Sequence, residues 1–251
     1  MIIRFDGKIV AVTGAGHGFG REIARSFAGL GALVFATDLD PGELAETAST
    51  GGISTSVVDL RDRAAASAWI AQIETRTGQA IDILVNNAGG VAGQGPVPLE
   101  DVADQDWNMI FDINVNAAFT LCRAAAPGMK RAGAGRIVNI SSSAGLQPSL
   151  TGIQAYCSAK HAVVGLTRQL AHELGPFGIT VNSVAPGFIR TNKATEAQWD
   201  SYGPDGQQAL VERIALKRLG AAADIANAVV FFASDLAGFV NGHLLQVDGG
   251  R

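Results

Sequence analysis

Lys8-Ile9-Val10-Ala11-Val12-Thr13-Gly14-Ala15-Gly16-His17-Gly18-Phe19-Gly20 runs from an apolar strand straight into a glycine-rich turn. Glycine lets the backbone turn tightly with positive φ and lets a pyrophosphate approach the main chain. A helix opening near Phe19 points its free N–H groups and positive dipole end at that phosphate. Such a turn is a weak sign alone. Placed after a strand and before a helix, it marks a dinucleotide-binding βαβ unit. Gly14, Gly16, His17, Gly18, Phe19 and Gly20 are its expected contacts. Asp38 follows Gly20 by eighteen residues, at the end of a second strand read as 33–37. A carboxylate there accepts from both adenosine ribose hydroxyls and repels a 2′-phosphate. Asp40-Pro41-Gly42-Glu43 reads instead as N-cap, N1 proline and N3 glutamate. Neither His17 nor Leu39 supplies the fixed positive charge a 2′-phosphate needs, so NAD is favoured over NADP.

Outward from this unit, short β-branched runs alternate with helical stretches. Strands are expected at 8–13, 33–37, 54–58, 81–86, 135–141, 179–184 and 244–247. Helices are expected at 19–29, 41–49, 64–76, 111–131, 155–174 and 222–233. The strands read as apolar throughout, as parallel strands covered on both faces do. The pattern predicts an α/β fold: one Rossmann-type, doubly wound parallel sheet spanning 1–251, in the order 3-2-1-4-5-6-7, with ligands bound beyond the C-terminal strand ends. The least regular stretch, 190–208, follows a strand end and reads as a substrate lid.

Composition bounds the function. The 251 residues are 47% hydrophobic and 17% charged, with a formal net charge of −4. These values suit a globular core and point to neither nucleic acid nor an anionic membrane as partner. The two cysteines, Cys122 and Cys157, form no C-x-x-C pair, so neither a disulfide framework nor a metal site is expected. They read as free buried thiols. No signal peptide is read at the N-terminus and no run is long enough to span a membrane, so the chain reads as cytoplasmic.

Tyr156-Cys157-Ser158-Ala159-Lys160 carries a resemblance when joined to the motifs around it. The others are the 13–20 turn, Asn86-Asn87-Ala88-Gly89, Asn114, the Ser141–Ser143 cluster, Pro186-Gly187 followed by Thr191, and Val247-Asp248-Gly249-Gly250. Together, in this order, they resemble the classical short-chain dehydrogenase/reductase family over essentially the whole chain. The residue chemistry agrees. Tyr156 and Lys160 are four apart and share one helix face. Tyrosine ordinarily titrates near pH ~10, and a nearby ammonium favours its phenolate. The pair therefore suits proton transfer at an alcohol oxygen as hydride leaves or arrives.

By the resemblance, a serine holds the substrate oxygen and stands three residues before a glycine, which selects Ser142 with Gly145. Counting back thirteen from Tyr156 selects Ser143, which stays the alternative. Asn114 resembles the asparagine that kinks its helix and holds a water of the proton relay. Asn86, Ala88 and Gly89 border adenosine, and Asp59 with Leu60 lies near adenine. Pro186, Gly187, Ile189 and Thr191 cover the nicotinamide, and Tyr156 and Lys160 are expected to contact the cofactor as well as the substrate. The assembly implied is a homotetramer with long helices paired at one interface.

The resemblance implies an NAD(P)-dependent oxidoreductase acting on CH–OH groups, NAD preferred. Gln94, Gln154, Arg190 and Lys193 join Ser142 and Tyr156 as candidates to meet the substrate. Their polarity, and the glycine-rich 89–94 stretch, favour a small polar substrate such as a sugar or deoxy sugar acid. A 3-oxoacyl carrier-protein reductase and a cyclic diol dehydrogenase are the alternatives. A dinucleotide-binding sensor or scaffold without turnover is the non-enzyme alternative, against which stands the full set Asn114, Ser142, Tyr156 and Lys160.

Overall fold

Seven parallel strands form one sheet in the order β3-β2-β1-β4-β5-β6-β7 in the computed structural model, which describes residues 3–251. The N-terminal reading at Met1 and Ile2 lies outside the described residues. The strands are β1 (Ile9–Thr13), β2 (Leu33–Asp38), β3 (Ile53–Val57), β4 (Ile83–Asn86), β5 (Gly135–Ile140), β6 (Ile179–Pro186) and β7 (Leu244–Val247). The helices are α1 (Gly18–Gly29), α2 (Pro41–Ala48), α3 (Arg63–Thr77), α4 (Asp104–Phe111), α5 (Ala117–Ala132), α6 (Gln154–Leu174), α7 (Lys193–Ser201), α8 (Gly203–Glu212) and α9 (Ala222–Ala233).

The period of two along a strand sends alternate side chains to opposite faces. In β1, Val10 and Val12 join a core with Ile23 and Phe27 of α1 and Val229 and Phe232 of α9. Ile9 and Ala11 join the opposite core, with Trp69 and Ile73 of α3, Leu121 of α5 and Leu174 of α6. Each large side chain buried this way contributes about 1.5–3 kcal/mol. The two cores cover both sheet faces and leave the C-terminal strand ends as the open rim.

Four readings need correction. The strands are not apolar throughout: β3 is Ile-Ser-Thr-Ser-Val, partly exposed at the sheet edge. Helix begins at Asp104 rather than Phe111, and a π-helical turn, Asp112–Asn116, separates α4 from α5. The 190–208 stretch is not irregular: it holds α7 and most of α8. Asn192 and Thr195 form a capping box at the start of α7, yet no residue of α7 is buried. Finally, Cys122 is buried as expected but Cys157 is only half-buried.

Candidate active site

The glycine turn is built from main-chain approaches that side chains would block. Gly14 and Gly18 have φ of +61° and +55°. A Cβ on Gly14 would stand 2.8 Å from the Ala88 Cα, and one on Gly20 would run into the Gly14 carbonyl. Asn87, quoted in the motif but given no role of its own by the sequence reading, latches the turn. Its amide donates to the Thr13 and Gly14 carbonyls, both at 2.9 Å. The Thr13 hydroxyl in turn accepts from the Asn87 and Ala88 amides, both at 3.0 Å. His17 occupies the N-cap of α1 with extended backbone, and its side chain does not cap the helix. The first-turn N–H groups therefore face the rim ready for an anion.

Asp38 stands at the end of β2 against this turn. One carboxylate oxygen accepts from the Gly16 amide at 2.8 Å and the other from the Leu39 amide at 2.7 Å. Asp40 instead caps α2, accepting from Gly42 at 2.8 Å and Glu43 at 3.1 Å. Arg21, a second residue the sequence reading missed, brings a cation near the same place. Its guanidinium is committed to the Gly16 carbonyl and, at 2.5 Å, to Glu43. Farther along the rim, Arg61 pairs with Asp59 at 2.5 Å and holds its carboxyl below the usual range. Leu60 packs against the core beside it.

The catalytic candidates meet where β5 ends. Ser141, Ser142 and Ser143 follow Ile140 and take three different roles. Ser141 turns inward, donating from its hydroxyl to the Lys160 carbonyl at 3.1 Å. Ser142 caps a 3₁₀ turn, Ser143–Gly145, accepting from the Ala144 amide at 3.1 Å, and its side chain lies near enough to the Tyr156 phenol to act on its ionisation. Ser143 contributes its carbonyl to the Leu146 and Gln147 amides. Ser142 is thus the serine beside Tyr156.

The electrostatics differ from the simple expectation of a lowered tyrosine. Burial pushes Tyr156 above its ordinary pKa, and the Ser142 side chain only partly opposes this. Lys160 is 4% exposed, and burial pushes its pKa down to about 8. Its ammonium donates to the Ile140 carbonyl at 3.0 Å and stands 5.7 Å from the Tyr156 ring centroid. Desolvation disfavours both charged forms.

Asn114 lies in the π turn. Its side-chain amide donates to the Ile110 carbonyl one turn back and to the Gly90 carbonyl, both at 2.8 Å, and its oxygen accepts from the Gly90 amide at 3.0 Å. A widened turn leaves a helix carbonyl without its usual i→i−4 donor, and the asparagine supplies one. A Cβ on Gly89 would meet the Asn114 side-chain oxygen at 2.5 Å and the Lys160 ammonium at 3.4 Å. Gly89, Asn114 and Lys160 therefore converge. Asn86 does not reach this point: it is buried, donating to Asn139 at 2.8 Å.

On the far wall, Pro186 ends β6 and Gly187 lies against Asp248. Ile189 is buried beside Gly220, and Thr191 abuts Gly18. The remaining substrate candidates are largely engaged. Arg190 pairs with Glu196 at 2.5 Å and lies over the Trp199 ring, 5.5 Å from its centroid. The side-chain amides of Gln94 and Gln154 donate to the Asp106 and Val97 carbonyls, each at 3.0 Å. Lys193 is exposed. Phe188 stacks on Trp199 at 6.0 Å and tilts against Tyr202 at 5.9 Å, joining the wall to α7.

Known proteins are similar to this chain in sequence and fold. The family described as enoyl-(acyl carrier protein) reductase matches residues 14–251. The (2S)-[(R)-hydroxy(phenyl)methyl]succinyl-CoA dehydrogenase subunit BbsD of Thauera aromatica is 39% identical, over 97% of this chain and 96% of that one. The 2-dehydro-3-deoxy-D-gluconate 5-dehydrogenase of Bacillus subtilis is 37% identical, over 97% of this chain and 94% of that one. A solved structure from Beutenbergia cavernae, described provisionally as an NAD(P)-dependent gluconate 5-dehydrogenase with NADP bound at low occupancy, superposes with a TM-score of 0.89. It is 36% identical and covers 99% of this chain and 98% of that one.

Proposed function

The chain belongs to the short-chain dehydrogenase/reductase family of oxidoreductases acting on alcohols and ketones, and we propose that it is NAD-dependent and works on a small polar substrate such as a sugar or deoxy sugar acid. The observation that carries the chemistry is the Lys160 ammonium 5.7 Å from the Tyr156 ring centroid, with Ser142 near the phenol. The glycine turn, with its uncapped helix start and Asp38 alongside, fits a nicotinamide dinucleotide. When bound, that cofactor supplies the hydride acceptor or donor.

The chain's own residues do the rest. Ser142 holds the substrate oxygen by hydrogen bonding. The Tyr156 oxygen takes the proton from an alcohol or returns it to a ketone. Lys160 supplies the positive charge that favours the tyrosinate once the pocket closes. Asn114, fixed on Gly90, holds the relay beside Lys160. Gly14 to Gly20 bind the pyrophosphate, Asp38 the ribose, and Asp59 with Leu60 borders adenine. Asn86, Ala88, Gly89, Pro186, Gly187, Ile189 and Thr191 complete the cofactor walls. This reading includes a cytoplasmic homotetramer. Exposed Phe119 and its neighbour Arg123 on α5 favour a paired-helix interface.

Cofactor choice rests on Asp38. Arg21 lies close to the ribose end of the turn, but its charge is spent on Glu43 and the Gly16 carbonyl. NADH is expected to bind at least tenfold more tightly than NADPH, because a 2′-phosphate would bring its charge against the Asp38 carboxylate. Asp38→Ser should narrow the gap. Fluorescence titration with both reduced cofactors measures it, and equal dissociation constants in the parent chain would end the NAD assignment.

Absorbance of reduced cofactor, followed over a panel of polyols, sugar acids, cyclic diols and 3-oxoacyl thioesters, tests the substrate class. Fastest turnover of the sugar acids is the expected result. Fastest turnover of the thioester would favour the second reading, a 3-oxoacyl carrier-protein reductase, the activity for which a relative from Escherichia coli is named. Cofactor binding with no turnover of any panel member would favour a sensor.

The 190–208 segment is read as the lid over this pocket. A helix with no buried residue has little packing to hold it and belongs to the low-stability end of the structure. Amides of α7 should exchange fast in the free protein and slow when cofactor and substrate are both bound. Slow exchange in the free protein would mark a fixed element. An acidic substrate reaching Arg190 must displace Glu196, so Arg190→Ala should raise KM for sugar acids and leave neutral alcohols nearly unchanged.

A further inference from the structure

Lys160 is gripped at both ends by consecutive residues of one strand end. Its ammonium donates to the Ile140 carbonyl at 3.0 Å, and its main-chain carbonyl accepts from the Ser141 hydroxyl at 3.1 Å. Both groups are out of water: Ser141 is 3% exposed and Lys160 4%. The same point explains a glycine. A Cβ on Gly145 would lie 2.6 Å from the Ser141 oxygen, 2.8 Å from the Lys160 carbonyl oxygen and 3.1 Å from its carbon. Two of those three atoms are backbone and have nowhere to go. The Gly145 amide also donates to the Ser142 carbonyl at 2.9 Å, closing the turn that Ser142 opens. The turn carrying Ser142 is therefore pressed onto the main chain of Lys160.

We propose that Ser141 is a positioning residue: with Gly145 beside it, its hydroxyl clamps α6 to the end of β5, so that Tyr156, Lys160 and Ser142 keep one register. A lysine ammonium rides on a flexible four-carbon stem. Fixing the carbonyl at one end and the ammonium at the other removes that freedom. The effect on turnover rests on the proton-transfer reading of Tyr156 and Lys160; the clamp itself does not.

Ser141→Ala tests it against Ser183→Ala. The Ser183 hydroxyl is as deeply buried and donates to the Asn139 carbonyl at 2.9 Å, so it controls for the loss of a buried hydroxyl. With the best substrate of the panel, Ser141→Ala should lose about tenfold to a hundredfold in kcat, the scale of a small misplacement of reacting groups. KM and NADH affinity should stay within about twofold, since no binding group is removed. Ser183→Ala should lose comparable thermal stability and keep its kcat. In the free proteins, amide exchange across 156–164 should quicken in Ser141→Ala alone. Should Ser141→Ala not fold, Ser141→Cys keeps the volume with a weak donor and should show the same split. Unchanged kcat, or equal kcat loss in Ser183→Ala, would overturn the proposal. If the parent chain turns over nothing in the panel, the function reading fails and exchange alone decides: faster exchange confined to Ser141→Ala supports the clamp, and no difference ends it.

Discussion

Tyr156→Phe is expected to lose at least about a thousandfold in kcat while its affinity for NADH stays within about twofold. General acid–base groups contribute typically ~10²–10⁴-fold, and only the hydroxyl proposed to move the proton is removed. The ring keeps its place in the apolar cluster with Ile110, Ile153 and Ala159, so the pocket keeps its shape. Because the lost interaction forms in the transition state, kcat and kcat/KM should fall together. Stopped-flow turnover and a parallel NADH titration check both halves. A kcat within tenfold of the parent would refute Tyr156 as the proton-transfer group. The chain has two tyrosines, so a Tyr202→Phe background leaves the Tyr156 phenol alone in the near-ultraviolet titration. In the free protein that phenol should ionise above the ordinary tyrosine range, as its burial dictates.

What the sequence carried plainly were constraints local to the chain. The glycine turn, the Asp40 cap, α9 at Ala222–Ala233 and β7 at Leu244–Val247 all rest on neighbouring residues, and the structure places them as read. What it did not carry were features made by distant partners. Asp104-Gln105-Asp106-Trp107 has little apolar periodicity, so the start of α4 was invisible. The π turn depends on Asn114 reaching both Ile110 and Gly90, and a pattern of residue types shows only the asparagine. The 190–208 segment looked irregular because α7 fully buries no residue and so has no apolar stripe to read. Arg190 looked available to a carboxylate only because Glu196, six residues on, was not seen as its partner. The choice between Ser142 and Ser143 turned on the three-residue step to Gly145. Its physical content, the contact of Gly145 with the Lys160 carbonyl, exists only in three dimensions.

Lys160→Met is expected to make the protein more stable at neutral pH while removing its activity. The lysine is 4% exposed with its pKa lowered to about 8 from 10.5 by burial. Below pH 8 it is charged in both folded and unfolded chains, and the folded chain bears the desolvation cost. Between about 8 and 10.5 the folded chain releases its proton while the unfolded chain still holds it. The unfolded state then binds more protons, so the parent's stability rises with pH across this window. At 1.36 kcal/mol per pKa unit the burden at neutrality is about 3 kcal/mol. Methionine fills similar space without charge, but it leaves the buried Ile140 carbonyl without its ammonium donor, a loss of about 1–3 kcal/mol. The net gain is at most about 2 kcal/mol, or up to about 8 °C in Tm for a chain of this size. Denaturant melts at pH 7 and pH 10 test the sign and the window. The variant should be the more stable at pH 7, and its advantage should shrink toward pH 10. A variant less stable at pH 7, or an advantage independent of pH, would mean the buried ammonium is not strained. The positive charge that suits this site to proton transfer is then a cost the fold carries at neutral pH, offset by the packing of α6 on β6 and α5.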